Sequence, residues 1–257
     1  MKIGLIGAGN MARAMARGWG EPVLVSDSGS GRAGELAVEL GGQAATNIEV
    51  AQQADLVVLC HKPYQLRAVA DEIAGHVRAV ASVVGGVPVG SLLDAYPGVP
   101  VFRLMPNIPV EVRRGVVLYS PTVDPAGNGP APELEVQVLE LFGRLGWVAT
   151  VPDELAPAAA ALTSVAPAYM ALVAEAQTDA GVRHGLRADL AGRLVAETMA
   201  GSAELLAARK LDTLAVRREV TSPRGSTARG LDALERGGLR AAFAAAIDRV
   251  LSDRQAP

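Results

Sequence analysis

The stretch Lys2-Ile3-Gly4-Leu5-Ile6-Gly7-Ala8-Gly9-Asn10-Met11-Ala12-Arg13-Ala14-Met15-Ala16 decides the fold. Lys2–Ile6, with the apolar run Ile3 to Ile6, reads as a strand, and Arg13 to Ala16 continues as helix. Between them stands G-x-G-x-x-A, the fingerprint of a dinucleotide-binding βα turn. Gly7 permits the tight turn, Gly9 lets a pyrophosphate approach the backbone, and Ala12 lets helix and strand pack closely. The helix N-terminus adds free amide donors and a positive dipole end. Gly7, Ala8, Gly9, Asn10 and Met11 are therefore predicted to hold a coenzyme. An ordinary Gly-rich turn shares the pattern, but not its place directly after the first strand of an α/β chain.

Further strands read from short apolar or β-branched runs: Val23–Val25, Leu56–Cys60, Val80–Val84, Pro100–Leu104, Val116–Tyr119 and Trp147–Val151. Helical segments separate several of them, the βαβ pattern of an open, mostly parallel, Rossmann-like sheet. Leu56–Cys60 is apolar without alternation, as a strand covered by helices on both faces should be. After Val151 the strand signals stop, so we expect an α/β domain over 1–152 and an all-helical dimerisation domain over 153–257. The run Pro121–Pro132 reads as a surface loop. Leu239, Ala242, Phe243, Ala246, Ile247, Val250 and Leu251 fall on one helical stripe. Ala168–Ala174 is apolar on every side, with Pro167 kinking or starting its helix, so burial against a second copy is expected.

Composition narrows the function. The 257 residues carry a net charge of −3, 50 % hydrophobic and 4 % aromatic residues, and one cysteine. That excludes a disordered chain and gives no electrostatic pull toward nucleic acid or acidic lipid. One cysteine and three scattered histidines offer no metal cluster and no internal disulfide. Leu155–Ala174 is uncharged for the length of a membrane span, but its alanines, two prolines, Thr163 and Ser164 favour a buried interface helix over a bilayer. Without a signal-peptide pattern, a cytoplasmic protein is expected.

Asp27 ends the second strand 20 residues after Gly7, where a carboxylate can bind a ribose 2′-hydroxyl and favour NADH. Ser28, Ser30 and Arg32 equally suit the 2′-phosphate of NADPH, so the coenzyme stays open between the two. His61, Lys62 and Pro63 follow another strand, and Lys62 with Pro63 is predicted to meet the coenzyme ribose or phosphate. The Asn107 amide, after Arg103-Leu104-Met105-Pro106, can face nicotinamide or substrate, or simply form an Asx-turn. His61 reads as a packed strand-end residue, because no local carboxylate orients it.

Several ordered pieces together are specific. Gly7–Ala12, Lys62-Pro63, Arg103–Asn107, Pro167-Ala168-Tyr169, Asp179-Ala180-Gly181-Val182 and Gly185-Leu186 occur in sequence. Val220-Thr221-Ser222-Pro223-Arg224-Gly225-Ser226-Thr227 follows, then Gly230-Leu231, Leu234-Glu235 and Gly237-Gly238-Leu239-Arg240. The chain resembles the pyrroline-5-carboxylate reductase family over nearly its whole length. The resemblance implies a Rossmann domain, a helical dimerisation domain, and NADPH- or NADH-dependent reduction of the cyclic imine Δ1-pyrroline-5-carboxylate to proline. It implies Thr227 as catalytic residue, with the backbone amides of Gly225, Ser226 and Thr227 binding the substrate carboxylate at a helix N-terminus. It also implies a homodimer or an assembly of dimers. Two positions depart from the family pattern: Val165, where a small serine is usual, and Arg224, where glycine is usual. Three other readings compete. One is a reductase of a different cyclic imine, and a second is an inactive, coenzyme-binding regulatory homologue. The third, a β-hydroxyacid dehydrogenase, needs a lysine from the helical half, where only Lys210 occurs.

Overall fold

The computed structural model describes residues 1–123, 127 and 129–252. The part of the expected Pro121–Pro132 loop at 124–126 and 128, and the end of the expected helical domain at 253–257, lie outside the described residues. Within the described part of that loop, no helix or strand forms before Pro132, which occupies the first turn of a helix. Contacts divide the chain into two compact units, Met1–Pro167 and Ala168–Pro257.

The first unit is built on eight strands: β1 (Ile3–Ile6), β2 (Leu24–Ser26), β3 (Gln43–Ala44), β4 (Leu56–Leu59), β5 (Val80–Ser82), β6 (Val101–Pro106), β7 (Gly115–Ser120) and β8 (Gly146–Thr150). Their order is β3-β2-β1-β4-β5-β6-β7-β8. Every neighbouring pair is parallel except β6 and β7, which are antiparallel with Leu104 opposite Tyr119. The seven expected strands are all present. The eighth, β3, has two exposed residues and no apolar run, and exists through its pairing with β2.

Helices cover both faces, which is why β4 is buried at every position. Helices α1 (Asn10–Trp19), α2 (Arg32–Leu40) and α6 (Pro132–Gly143) share one apolar cluster with Leu5, Val25, Val58 and Leu104. With so few aromatics, Trp19 is a keystone of this layer. Its ring meets Phe142 edge-on at 5.6 Å, and its Nε1 donates to the Leu141 carbonyl at 3.0 Å. On the other face, α3 (Asn47–Gln53), α4 (Leu66–Ile73) and α5 (Val89–Ala95) cover Ile6, Leu24, Val57 and Leu59.

A last helix of this unit, α7 (Ala156–Thr163), packs Ala156 and Ala160 on Met105 and Leu118. That packing sets the contact boundary at Pro167, whereas the sequence suggests a boundary where the strands end.

The second unit is wholly helical: the body of α8 (Ala166–Arg183), α9 (Ala188–Ala208), α10 (Thr213–Glu219), α11 (Ser226–Arg236) and α12 (Leu239–Ser252). Pro167 falls in the first turn of α8, where its missing N–H costs nothing. Tyr169 and Phe243 meet edge-on at 6.5 Å, so α8 and the stripe of α12 touch. Otherwise the unit has little interior of its own. Among its described residues only Ala191 is buried, while Leu172, Leu190, Leu194 and Leu234 are exposed. By length and composition the helical run Asp153–Arg183 is apolar enough to cross a bilayer.

Candidate active site

The C-terminal ends of β1, β2 and β4 open onto one crevice, lined by Gly7, Gly9, Asp27, Arg32, His61 and Lys62 among others. In a sheet of this order, the crevice beside the first strand is where a dinucleotide lies. Gly7 shows why the turn needs glycine. Its φ is +104°, and a Cβ there would stand 2.8 Å from the Cys60 carbonyl carbon and oxygen. Gly9 caps α1 without a side-chain hydrogen bond, and a Cβ on it would meet no protein atom within 4 Å. The first-turn amides of α1 therefore face open space with no intrahelical acceptor. Ala12 is fully buried against the sheet. Together they form a cradle fitted to a pyrophosphate.

Asp27 serves its own loop. Its carboxylate accepts from the Gly29 amide at 2.7 Å, the Ser30 hydroxyl at 2.8 Å and the Ala33 amide at 2.9 Å. These bonds, Ala33 foremost, hold its pKa below the ordinary aspartate value. Ser28, Ser30 and Arg32 line the crevice beside it, and the Arg32 guanidinium makes no hydrogen bond or ion pair among the described residues. The sequence shows Asp27 to be correctly spaced, but gives no sign that its carboxylate is already occupied by three donors.

After β4, the Lys62 amide donates to Gln65 Oε1 at 2.9 Å, and Pro63 opens a 3-10 turn leading into α4. His61 Nδ1 lies 2.9 Å from the Lys62 carbonyl, and its Nε2 is buried without a partner. Burial holds this imidazole below the ordinary histidine pKa. Cys60 beside it is partly buried, and desolvation raises the pKa of its thiol, so it is not a thiolate nucleophile.

Sequence reasoning passed over Asn47, another crevice residue. It accepts from the Ser26 hydroxyl at 2.6 Å and donates to Glu72 at 2.7 Å, tying β2 to α4. A signal for its helix does exist: Thr46 and Glu49 form a capping box that fixes where α3 starts.

Asn107 is turned into the fold. Its Oδ1 accepts from the Val116 amide at 2.8 Å and its Nδ2 donates to the Thr163 carbonyl at 3.1 Å. Only 7 % exposed, it joins the β6–β7 connection to the end of α7. Arg103 is buried too. Its Nε donates to the Val87 carbonyl at 2.8 Å, and its Nη1 reaches Ser120 Oγ at 3.2 Å and Asp153 Oδ1 at 2.8 Å.

In the second unit, Gly225 is the N-cap of α11, again without a side-chain cap, so the amides of Ser226 and Thr227 open the helix. Arg224 just before it is exposed, with φ +58°, and its carbonyl accepts from Arg229 at 2.8 Å. Its guanidinium thus belongs to the surface of this unit. The Ser226 and Thr227 amides and the Thr227 hydroxyl give an anion-binding corner, with no strong base in the same loop; the Gly225 amide, expected to join them, instead donates to the Ser222 carbonyl at 3.0 Å.

Comparison with known proteins agrees with both halves. Residues 153–256 match the family profile described as pyrroline-5-carboxylate reductase dimerisation. Residues 2–85 match that described as NADP oxidoreductase, coenzyme F420-dependent. Pyrroline-5-carboxylate reductase of Thermus thermophilus is 33% identical over 96% of this chain and 95% of its own. That of Methanosarcina acetivorans is 31% identical over 96% and 94%. A crystal structure of 1-pyrroline-5-carboxylate reductase from Streptococcus pyogenes superposes with a TM-score of 0.87 at 29% identity, covering 99% of this chain and 98% of that one.

Proposed function

Because the chain belongs to the pyrroline-5-carboxylate reductase family, we propose that it reduces Δ1-pyrroline-5-carboxylate to proline with NADPH. The open cradle at Gly9 carries this reading: a helix start with room beside it, opening on a crevice that Asp27, Ser30, Arg32, His61 and Lys62 also line. The coenzyme supplies a hydride to the imine carbon. The α1 amides bind its pyrophosphate, with Ala8, Asn10, Met11, Lys62 and Pro63 around it. Ser28, Ser30 and the unpaired Arg32 receive a 2′-phosphate, and Asp27 orders their loop through its three hydrogen bonds. This division of labour favours NADPH over NADH.

The substrate carboxylate binds the amides of Ser226 and Thr227, fixed donors at a positive helix end, while the Gly225 amide closes its own turn on the Ser222 carbonyl. The Thr227 hydroxyl donates a hydrogen bond to the ring nitrogen as it becomes an amine. No strong base is needed, because the protonated imine is already electrophilic. Asn107 acts as a positioning residue, through Val116 and Thr163.

The exposed leucines of α8, α9 and α11 are covered by a second copy in a homodimer or an assembly of dimers. The reaction takes place in the cytoplasm, a location suited to a single free cysteine.

The test is oxidation of NADPH and NADH by the purified protein with pyrroline-5-carboxylate, run beside pyrroline-2-carboxylate, piperideine carboxylates and a β-keto acid. Turnover is expected with pyrroline-5-carboxylate at the highest kcat/KM. A higher kcat/KM for a six-membered imine would move the reading to a different substrate. Coenzyme binding without turnover on any arm would make it a regulatory homologue.

A further inference from the structure

The crevice holds one polar atom that neither the fold nor the proposed reaction uses. His61 follows β4 directly, and its backbone nitrogen lies 3.0 Å from where a Cβ on Gly7 would stand. His61 lines the same crevice as Gly7 and Gly9, so the residue stands beside the turn through which the pyrophosphate passes. Its Nδ1 faces the Lys62 carbonyl at 2.9 Å, an acceptor, so Nδ1 carries the proton and Nε2 the free lone pair. That Nε2 is buried and has no hydrogen-bond partner among the described residues, although buried polar atoms are nearly always paired. Desolvation keeps the ring neutral, so the lone pair persists at neutral pH.

We infer that His61 Nε2 accepts a hydrogen bond from a ribose hydroxyl of the bound dinucleotide. The covalent order of the ligand selects this donor. On either side of the pyrophosphate the next group is a ribose, whereas the adenine amino and carboxamide groups lie one ring further out. His61 becomes a coenzyme-binding residue, and the Lys62 carbonyl becomes the group that sets its tautomer. The inference rests on the reading of the crevice as a nicotinamide dinucleotide site.

The experiment is a fluorescence titration of NADPH into the wild type, His61→Phe and His61→Gln, with thermal melting of each. Phenylalanine keeps the ring and deletes the acceptor; glutamine keeps an acceptor near the Nε2 position. His61→Phe is expected to bind NADPH roughly tenfold more weakly, about 1.4 kcal/mol, and His61→Gln within about threefold of wild type. Titrations with 2′,5′-ADP and reduced nicotinamide mononucleotide then identify which ribose carries the hydroxyl.

NADPH affinity of His61→Phe within about twofold of wild type overturns the inference while leaving the coenzyme site intact. Failure of the wild type to bind NADPH or NADH overturns the site reading itself. If His61→Phe does not fold, ¹⁵N NMR of the wild-type histidines decides. The unprotonated Nε2 resonance of His61 is expected to move on saturation with NADPH, and an unmoved resonance refutes the bond.

Discussion

Replacing Arg103 by methionine removes a buried guanidinium that ties three segments together. Val87 before α5, Ser120 at the end of β7 and Asp153 before α7 all converge on it. Methionine fills much of the space but offers no donor. The Val87 carbonyl and the Ser120 hydroxyl then lose charge-assisted bonds worth about 1.5 to 3 kcal/mol each. Asp153 is 31 % exposed, so water replaces part of what it loses and its ion pair counts for about 1 kcal/mol. Against this stands the better burial of an apolar chain, about 1 kcal/mol.

The net expectation is a loss of about 3 to 6 kcal/mol and a drop in melting temperature on the order of 10 °C. Arg103→Lys keeps the charge near Asp153 but cannot reach both other acceptors, so about half the loss should remain. Urea denaturation of the three proteins at one concentration gives the values, and a double-mutant cycle with Asp153→Asn isolates the pair. A loss under about 1 kcal/mol for Arg103→Met would refute the idea that this guanidinium holds the segments in place.

Thr227→Val, which deletes only a hydroxyl, should lower kcat with pyrroline-5-carboxylate by up to about 10²-fold at unchanged NADPH affinity. An unchanged kcat removes Thr227 from the chemistry. Asp27→Asn should destabilise the protein and favour neither coenzyme. Because the folded pKa of Asp27 is depressed, the stability gap to wild type is fully present above the ordinary carboxylate range, about pH 4, and closes as pH falls through the folded value. A gap that stays constant down to acid unfolding contradicts this. Arg224→Gly should leave KM for the imine within about threefold, since the guanidinium is exposed, and should shift stability by less than about 1 kcal/mol as relief of the left-handed φ offsets glycine's entropy. A tenfold rise in KM would show the side chain at the substrate.

What could be read from the sequence depended on how local the cause was. The β1–α1 turn was legible because Gly7 is demanded by its own φ and by the neighbouring strand. The strands were legible where burial on both faces wrote continuous apolar runs. By contrast, Gln43 and Ala44 become a strand only through pairing with Leu24 and Val25, and a two-residue exposed segment leaves no periodicity. Asp27 and Asn107 were found by position, but their partners come from the folded loops. Spacing cannot tell a carboxylate aimed at a ribose from one aimed at Gly29, Ser30 and Ala33. The unpaired Nε2 of His61 is an absence, and no sequence pattern records it. The contact boundary at Pro167 arises from Ala156 and Ala160, whose docking on Met105 and Leu118 is invisible in an alanine run.

The near lack of an interior in the helical unit also bears on how the protein is made. Synthesis runs from the N-terminus, so the sheet and its covering helices leave the ribosome first and can close their core unaided. The residues after Pro167 emerge later, with only Ala191 buried among those described, and in the proposed assembly they wait for another nascent or finished copy. Their maturation is therefore second order in chain concentration, while that of the first unit is first order. At low expression the cell would hold molecules with a finished sheet and unsheltered leucines, natural clients for holdase chaperones. Neighbouring ribosomes on one messenger would shorten that wait by supplying partners at high local density.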